Sequence, residues 1–512
     1  MAANLTQLNS RNVPDRLMLA GVAIMAAALV TALIFYVANE GTLTSYPQLY
    51  LLPWTLALAV VMVIPSAILF HQGKFSFADP LVFATWSYFF PAFVVGGIFF
   101  SVGLSEPYFL SLIQDASYNL PLTIVIVGLG FIGLSAGYFF SLGERLGSLV
   151  AKQLPLANYS LSAFTVPGLL LLVAGTMNTV AAFALGLFGY QKGDEINSYD
   201  GIVFLTTLFW VQGNFLLWLV IFRAKKITPL LMGVIILLAG TSLTKILFAG
   251  NRGTIVQIFA IIALAYILAG RRFRLKQSVV AGLILSIALI AGMIYGTTFR
   301  MVKGSESGQS TDQYVDDVFR TIDRVGSDNT YESVAFGFST LAERVDIVST
   351  LAVVVSNHEE LEPYEEAYGL NDNIWSDLTT FLIPRVVWKD KPIASDARKY
   401  SDLYFNYAES SFAITSFGDL LRNYGIAGVP IGMFVLGIIL RFIYRSLVDG
   451  QEPAIWRLTL YFMLLICISY EGFYGTIIPT LFRVGFTAIV GILLVSLIAK
   501  RMNGREILAR ST

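Results

Sequence analysis

The chain has 512 residues, 56% of them hydrophobic and 13% charged, with a mean hydropathy of +0.70. A soluble domain carries about 25% charge, so a soluble enzyme, a nucleic-acid binder and a disordered chain are excluded. The 34 basic and 34 acidic residues cancel, and no whole-chain basic field draws in nucleic acid. One cysteine, Cys467, and two histidines, His71 and His358, leave no intramolecular disulfide framework and too few ligands for a His/Cys metal site.

Crossing a bilayer takes about 20 apolar residues. Twelve runs approach or reach that length: Leu17–Ala38, Leu49–Phe70, Leu81–Phe100, Leu120–Phe140, Leu161–Phe188, Ile202–Phe222, Ile227–Leu247, Thr254–Ala269, Val279–Gly296, Gly425–Ile443, Ile455–Tyr470 and Val484–Ala499. The eighth and the last two are short. The first has a basic start but no clear cleavage site and reads as a retained span. Helices are expected, because a barrel shows short alternating segments instead. The expected fold is therefore all-α: a polytopic membrane protein with about 12 transmembrane helices. Twelve spans put both termini on one side. Lys and Arg crowd the loops on that side (Arg223, Lys225, Lys226, Arg271, Arg272, Arg274, Lys276, Arg441 and Arg445 among them), whereas the loops 39–48 and 101–119 have none. Positive charge marks the cytoplasmic side, so both termini are expected there.

The division that follows is residues 1–296 for spans one to nine, 297–424 for one large extracytoplasmic loop, and 425–512 for the last three spans and a short tail. The loop holds 11 basic and 21 acidic residues, a local net charge of −10. A loop of this length is expected to have a function. Within Tyr331 to Val355 the apolar stretch Ile347 to Val355 is too short to span, so a helix on the membrane surface or on the rest of the loop is predicted. A polar patch runs from Gly304 to Asp312.

Charged residues at the outer span ends carry most of the chemical information. Gly250-Asn251-Arg252-Gly253 joins spans seven and eight, where the arginine either meets a ligand or snorkels to lipid headgroups. Glu471-Gly472 ends span eleven and Arg483 opens span twelve; an ionisable residue at such depth is a functional candidate, and an ion pair between the two is the alternative. Pro384-Arg385-Val386-Val387-Trp388-Lys389-Asp390-Lys391-Pro392 sets cations around a tryptophan. That composition suits phosphate and sugar, and equally an interfacial belt. Asp419 and Arg422, three apart, share a helix face and read as a local pair before they read as catalysts. There is no P-loop and no Gly-x-Gly-x-x-Gly opening a soluble helix. No cytoplasmic loop is large enough for a nucleotide domain. Chemistry is expected on the outer side, on a substrate that brings its own leaving group.

In this order the motifs resemble the O-antigen polymerase, or oligosaccharide repeat-unit polymerase (Wzy-type), family over roughly residues 245–490. The matching parts are Gly-Asn-Arg-Gly (250–253), the large loop, Ile-Pro-Arg-x-x-Trp-x-x-Lys-Pro (383–392), Phe-Gly-Asp-x-x-x-Asn-Tyr-Gly (417–425), and Glu471, Gly472 and Arg483. Upstream, Asp79-Pro80 and Tyr88 to Pro91 give a faint echo. The resemblance implies a C-type glycosyltransferase scaffold in the bacterial inner membrane, needing no cofactor or metal, that joins repeat units carried on undecaprenyl diphosphate. It implies diphosphate-binding roles for Arg252, Arg385, Lys391 and Arg483, with Arg300, Arg344, Arg398 and Arg422 as weaker candidates. Trp388 is the candidate for sugar stacking. A general base would be Glu471, with Asp419 behind it. A chain-length regulator and a flippase are possible partners. The rivals are an O-antigen ligase, whose loop usually carries a His-Asn pair where this chain has Asn357-His358, and a polysaccharide transporter or flippase, expected to show two related halves.

Overall fold

A computed structural model describes residues 47–154, 161–185, 200–249, 252–271, 275–303, 311–327, 342–408, 411–451 and 454–511. The first predicted span, Gly250, Asn251 and residues 304–310 and 328–341 lie outside them. All regular structure in the described residues is helical. Nine helices there are long and apolar enough to cross a membrane, the architecture of a multi-pass membrane protein.

The helices follow the apolar runs. Helix α1 is Leu52–His71, α2 Pro80–Ser101 and α3 Ala116–Phe139, with a shorter α4 over Ser141–Gln153. Then come α5 (Thr165–Ala184), α6 (Asp200–Arg223), α7 (Pro229–Ala249), α8 (Arg252–Leu268) and α9 (Leu275–Lys303). The loop contributes α10 (Thr311–Ser327), α11 (Ile347–Tyr368), α12 (Asn373–Thr380) and α13 (Ala397–Phe405). Helices α14 (Thr415–Leu447), α15 (Ile455–Ile466) and α16 (Ile477–Ser511) end the chain. Helices α8 and α15, which carry the eighth and eleventh predicted spans, are the short ones, at 17 and 12 residues. The twelfth predicted span falls in a long helix.

Local chemistry sets several ends. Asp79 caps α2 by accepting hydrogen bonds from the Leu81 and Val82 amides, with Pro80 in the first helical position. The same carboxylate accepts the Tyr138 hydroxyl at 2.5 Å, which ties the start of α2 to the end of α3. Residues Thr85–Val95 of α2 are wound as a π-helix, a form that is rare beyond a single turn. Helices α3 and α14 pack with their backbones almost in contact. A Cβ on Gly137 would sit 1.9 Å from the Phe434 carbonyl oxygen, and one on Gly437 would sit 2.1 Å from that of Leu134.

Two apolar clusters form the core. One joins α1, α2, α3, most of α14 and the loop helices α11 and α13. The other joins α5, α6, α7, α8, α15 and α16. The loop is therefore part of the bundle, and one expectation is overturned. Ile347–Val355 does not lie on a membrane surface; all nine residues are buried, in a cluster that joins α2, α3 and α14 with the loop helix α13. The run is apolar or small on every side, and a helix of that kind is covered all round. Its second half, from Ser356 onward, is polar and mostly exposed.

The start of α14 also differs from a simple lead-in. Gly425 has φ 66° and ψ −170°, and the chain reverses there. The Leu420 side chain lies against Gly432, although twelve residues of continuous helix would hold them about 18 Å apart. Thr415–Tyr424 is thus a short helix folded back on the membrane-length helix that follows. Its first residues pair with an unwound stretch after α15: the Thr415 amide donates to the Glu471 carbonyl at 3.0 Å and the Ser416 amide to the Tyr470 carbonyl at 3.1 Å.

Candidate functional site

Helix α12 and the loop behind it sit on the turn Tyr474–Thr476 and on the start of α16. The approach is close: a Cβ on Gly475 would lie 2.9 Å from the Ile374 Cα. The Phe381 ring meets Phe482 edge-on at 5.2 Å. The segment between the two prolines closes on itself, the Val387 and Trp388 amides donating to the Pro384 carbonyl and the Lys391 amide to that of Trp388. The Lys391 ammonium donates to the Thr380 and Ile383 carbonyls at 2.8 and 3.2 Å, and Arg385 reaches the Pro392 carbonyl at 3.5 Å.

This arrangement brings together three of the four principal cations named from the sequence. Burial lowers the Lys391 pKa, and the positive charges of Arg483 and Arg385 lower it further. Asp377 stands beside them: burial raises its carboxyl, Asp419 raises it again, and Arg483 and Lys391 pull it down. Among the described residues none of Arg385, Lys391 and Arg483 has a carboxylate within 4 Å. Three like charges held beside the single carboxylate of Asp377 leave an excess of positive charge that an anion bound among them would offset.

A buried network joins the same elements. Asp419 accepts from the Asn373 amide at 3.0 Å, the Gly475 N–H at 3.2 Å, the Asn423 amide at 3.3 Å and Arg422 at 3.2 Å. Arg422 pairs with Glu365 at 2.8 Å and donates to the Asn373 side-chain oxygen at 2.8 Å. Tyr404 donates to Glu365 at 2.7 Å. Burial pushes the Glu365 carboxyl up and the Arg422 charge pulls it back. The Asp419–Arg422 pair inferred from helical spacing forms, and it is built into a joint between α11, α12, α14 and the Gly475 turn. Arg422 and Asp419 are both buried, and this network engages the Asp419 carboxylate and the two terminal nitrogens of Arg422, whose Nε has no hydrogen-bond partner.

The other predicted residues lie elsewhere. Glu471 is exposed in the unwound stretch between α15 and the Tyr474 turn, and no ion pair joins it to Arg483. Its carboxylate is near enough to Tyr88 to act on it, and the Tyr88, Ser416 and Tyr470 hydroxyls around that stretch are buried without a hydrogen-bond partner. Trp388 is 38% exposed at the rim of the cation loop. Arg344 is exposed just before Asp346, the cap of α11, and Arg398 is exposed in the first turn of α13. Arg252 opens α8, which packs on α6, α7 and α9, and Arg300 lies near the end of α9; the side chains of both are outside the described residues. Sequence reasoning missed Asp377, Asn373 and Ser395. Their one signal was their position a few residues before and after the cation motif.

No known protein family, no curated protein and no solved structure matches this chain.

Proposed function

We propose that this protein polymerises undecaprenyl-diphosphate-linked oligosaccharide repeat units at the outer face of the bacterial inner membrane, with the loop end outward and both termini cytoplasmic. The product is an O-antigen, capsule or exopolysaccharide. The growing chain leaves its lipid diphosphate and joins the next lipid-linked unit. The observation that carries this reading is the group of three cations, Arg385, Lys391 and Arg483, held together with no carboxylate within 4 Å among the described residues. A diphosphate leaving group needs such charges, because it develops negative charge as the glycosidic bond to it breaks. The motif order in the sequence supports the same reading. Trp388, half-exposed beside the cations, has the chemistry to stack on a sugar ring.

Deletion of the gene in its host, followed by gel profiling of surface and secreted polysaccharide, tests the reading. Loss of long polymer with single repeat units still formed is the expected result. Long polymer stranded on undecaprenyl diphosphate would indicate a ligase, and repeat units trapped on the cytoplasmic side a flippase. Because leaving-group charge dominates the barrier, Arg385→Ala and Arg252→Ala are expected to lose more polymer than Glu471→Gln. Near-wild-type polymer from both arginine variants would refute the assignment.

A further inference from the structure

On that polymerase reading, we infer that Asp377, and neither Glu471 nor Asp419, is the carboxylate that takes the proton from the acceptor hydroxyl.

Three observations carry the assignment. First, Asp377 is the carboxylate that stands among the candidate phosphate cations, acted on by both Arg483 and Lys391. Asp419 is fully buried and its oxygens are occupied by donors from Asn373, Asn423, Arg422 and Gly475. Asp377 is only partly buried, so a ligand can reach it. Second, one oxygen is fixed and the other has no hydrogen-bond partner. Ser395 donates its hydroxyl to Asp377 Oδ2 at 2.5 Å, and Oδ1 has no hydrogen bond among the described residues.

Third, the direction of that serine hydroxyl is itself set. Ser395 Oγ accepts from the Asn373 Nδ2 at 3.0 Å, which leaves its own proton to point at Asp377. Asn373 is oriented in turn, because its Oδ1 accepts from Arg422 and Asn423, each at 2.8 Å. A base held by an orienting group, which is held by another, is the arrangement that proton abstraction requires. Burial and the neighbouring Asp419 raise the Asp377 carboxyl above its ordinary range, toward the pH at which a base is most effective.

The step is balanced as follows. The acceptor hydroxyl oxygen attacks the anomeric carbon of the lipid-linked donor. The bond from that carbon to the diphosphate oxygen breaks, and its electron pair leaves with the lipid diphosphate beside Arg385, Lys391 and Arg483. The hydroxyl proton passes to Asp377 Oδ1 and is later released to water.

The test uses the full-length protein in proteoliposomes with lipid-linked repeat units extracted from a host lacking this gene. Asp377→Asn is expected to slow ladder formation about 100-fold to 10,000-fold, while binding of undecaprenyl diphosphate, measured separately, stays within a few-fold. Asp377→Glu is expected to recover part of the rate. The wild-type rate is expected to fall on acidification through one protonation, and Ser395→Ala to move that midpoint to higher pH, because it removes a hydrogen bond that favours the charged carboxylate. Asp377→Asn within three-fold of wild type would overturn the assignment and leave the polymerase reading standing. A wild-type protein that builds no ladder would overturn the reading itself. If Asp377→Asn does not fold, the Ser395→Ala midpoint decides, and an unmoved midpoint sinks the assignment.

Discussion

Substituting Asp346 by Asn is expected to stabilise the protein at neutral pH and not at acid pH. Asp346 caps α11 from a fully buried position, accepting from the Ser349 amide and hydroxyl and from the Ser105 hydroxyl. Burial pushes its carboxyl from 3.8 up to about 6, against the pull of those hydrogen bonds. The folded protein therefore holds a proton that the unfolded chain has released across that window. Stability from this group is greatest below pH 3.8, falls as pH rises to about 6 and is flat above. At about 1.36 kcal/mol per pH unit, the charged form costs the fold about 3 kcal/mol at pH 8. Asparagine is also a good cap and keeps an acceptor for the Ser349 amide, at the loss of about 1 kcal/mol of charge-assisted bonding. The expected net gain is about 2 kcal/mol at pH 8, vanishing below pH 5. Thermal unfolding of both proteins in detergent at the two pH values measures it. Asp79 is raised in the same way, so both proteins gain stability on acidification, and the difference between them isolates Asp346. A variant less stable than wild type by the same margin at both pH values would refute the reasoning.

Gly425→Ala is expected to cost about 1–3 kcal/mol, because φ 66° with ψ −170° is open essentially to glycine alone. A Cβ there meets nothing within 4 Å, so the loss is conformational, and a larger side chain should cost little more than alanine in the same unfolding assay. Arg422→Gln leaves the Glu365 and Asp419 carboxylates buried without their cation and is expected to cost about 3–5 kcal/mol, read as loss of monodisperse protein in detergent. Adding Glu365→Gln is expected to recover part of it.

The membrane-length helices were legible because an apolar run long enough to cross a bilayer has few other uses: each of the nine in the described residues carries a predicted run, whereas the eighth and eleventh runs fall on shorter helices and the eleventh outlasts its helix. The same rule misled at Ile347–Val355. A run too short to span was assigned to the membrane surface or to the rest of the loop, whereas its lack of any polar face was the better guide to its full burial. The reversal at Gly425 left only a glycine before an apolar run, which is also how a plain span begins. Asp419 and Arg422 were legible as a pair from their spacing. Their partners Glu365 and Asn373 were not, because the contact depends on how the loop folds back. Asp377 was one acidic residue among 21 in a loop of net charge −10, and only its place in space distinguishes it.

The cation loop is tied to the bundle at several points, and this decides which substitutions inform on function. The Lys391 ammonium is fixed by two carbonyls, Phe381 is braced on Phe482, and α12 is seated on the Gly475 turn. Charges fixed in this way need no rearrangement when an anion arrives, which is the condition under which they stabilise a leaving group best. The support comes from Asp419, Arg422 and Asn373, so a change at any of these displaces Arg385, Lys391 and Asp377 together. Loss of polymer in an Arg422 variant would therefore not identify a phosphate ligand, although Arg422 belongs to the same run of motifs as Arg385. Arg385 and Arg483 have no carboxylate within 4 Å among the described residues, and the charge of Arg483 also holds down the Asp377 carboxyl. Arg385 is therefore the cleaner test: on the proposed reading its substitution lowers activity and anion binding together while the fold is kept, whereas loss of Arg483 also lets the Asp377 carboxyl rise.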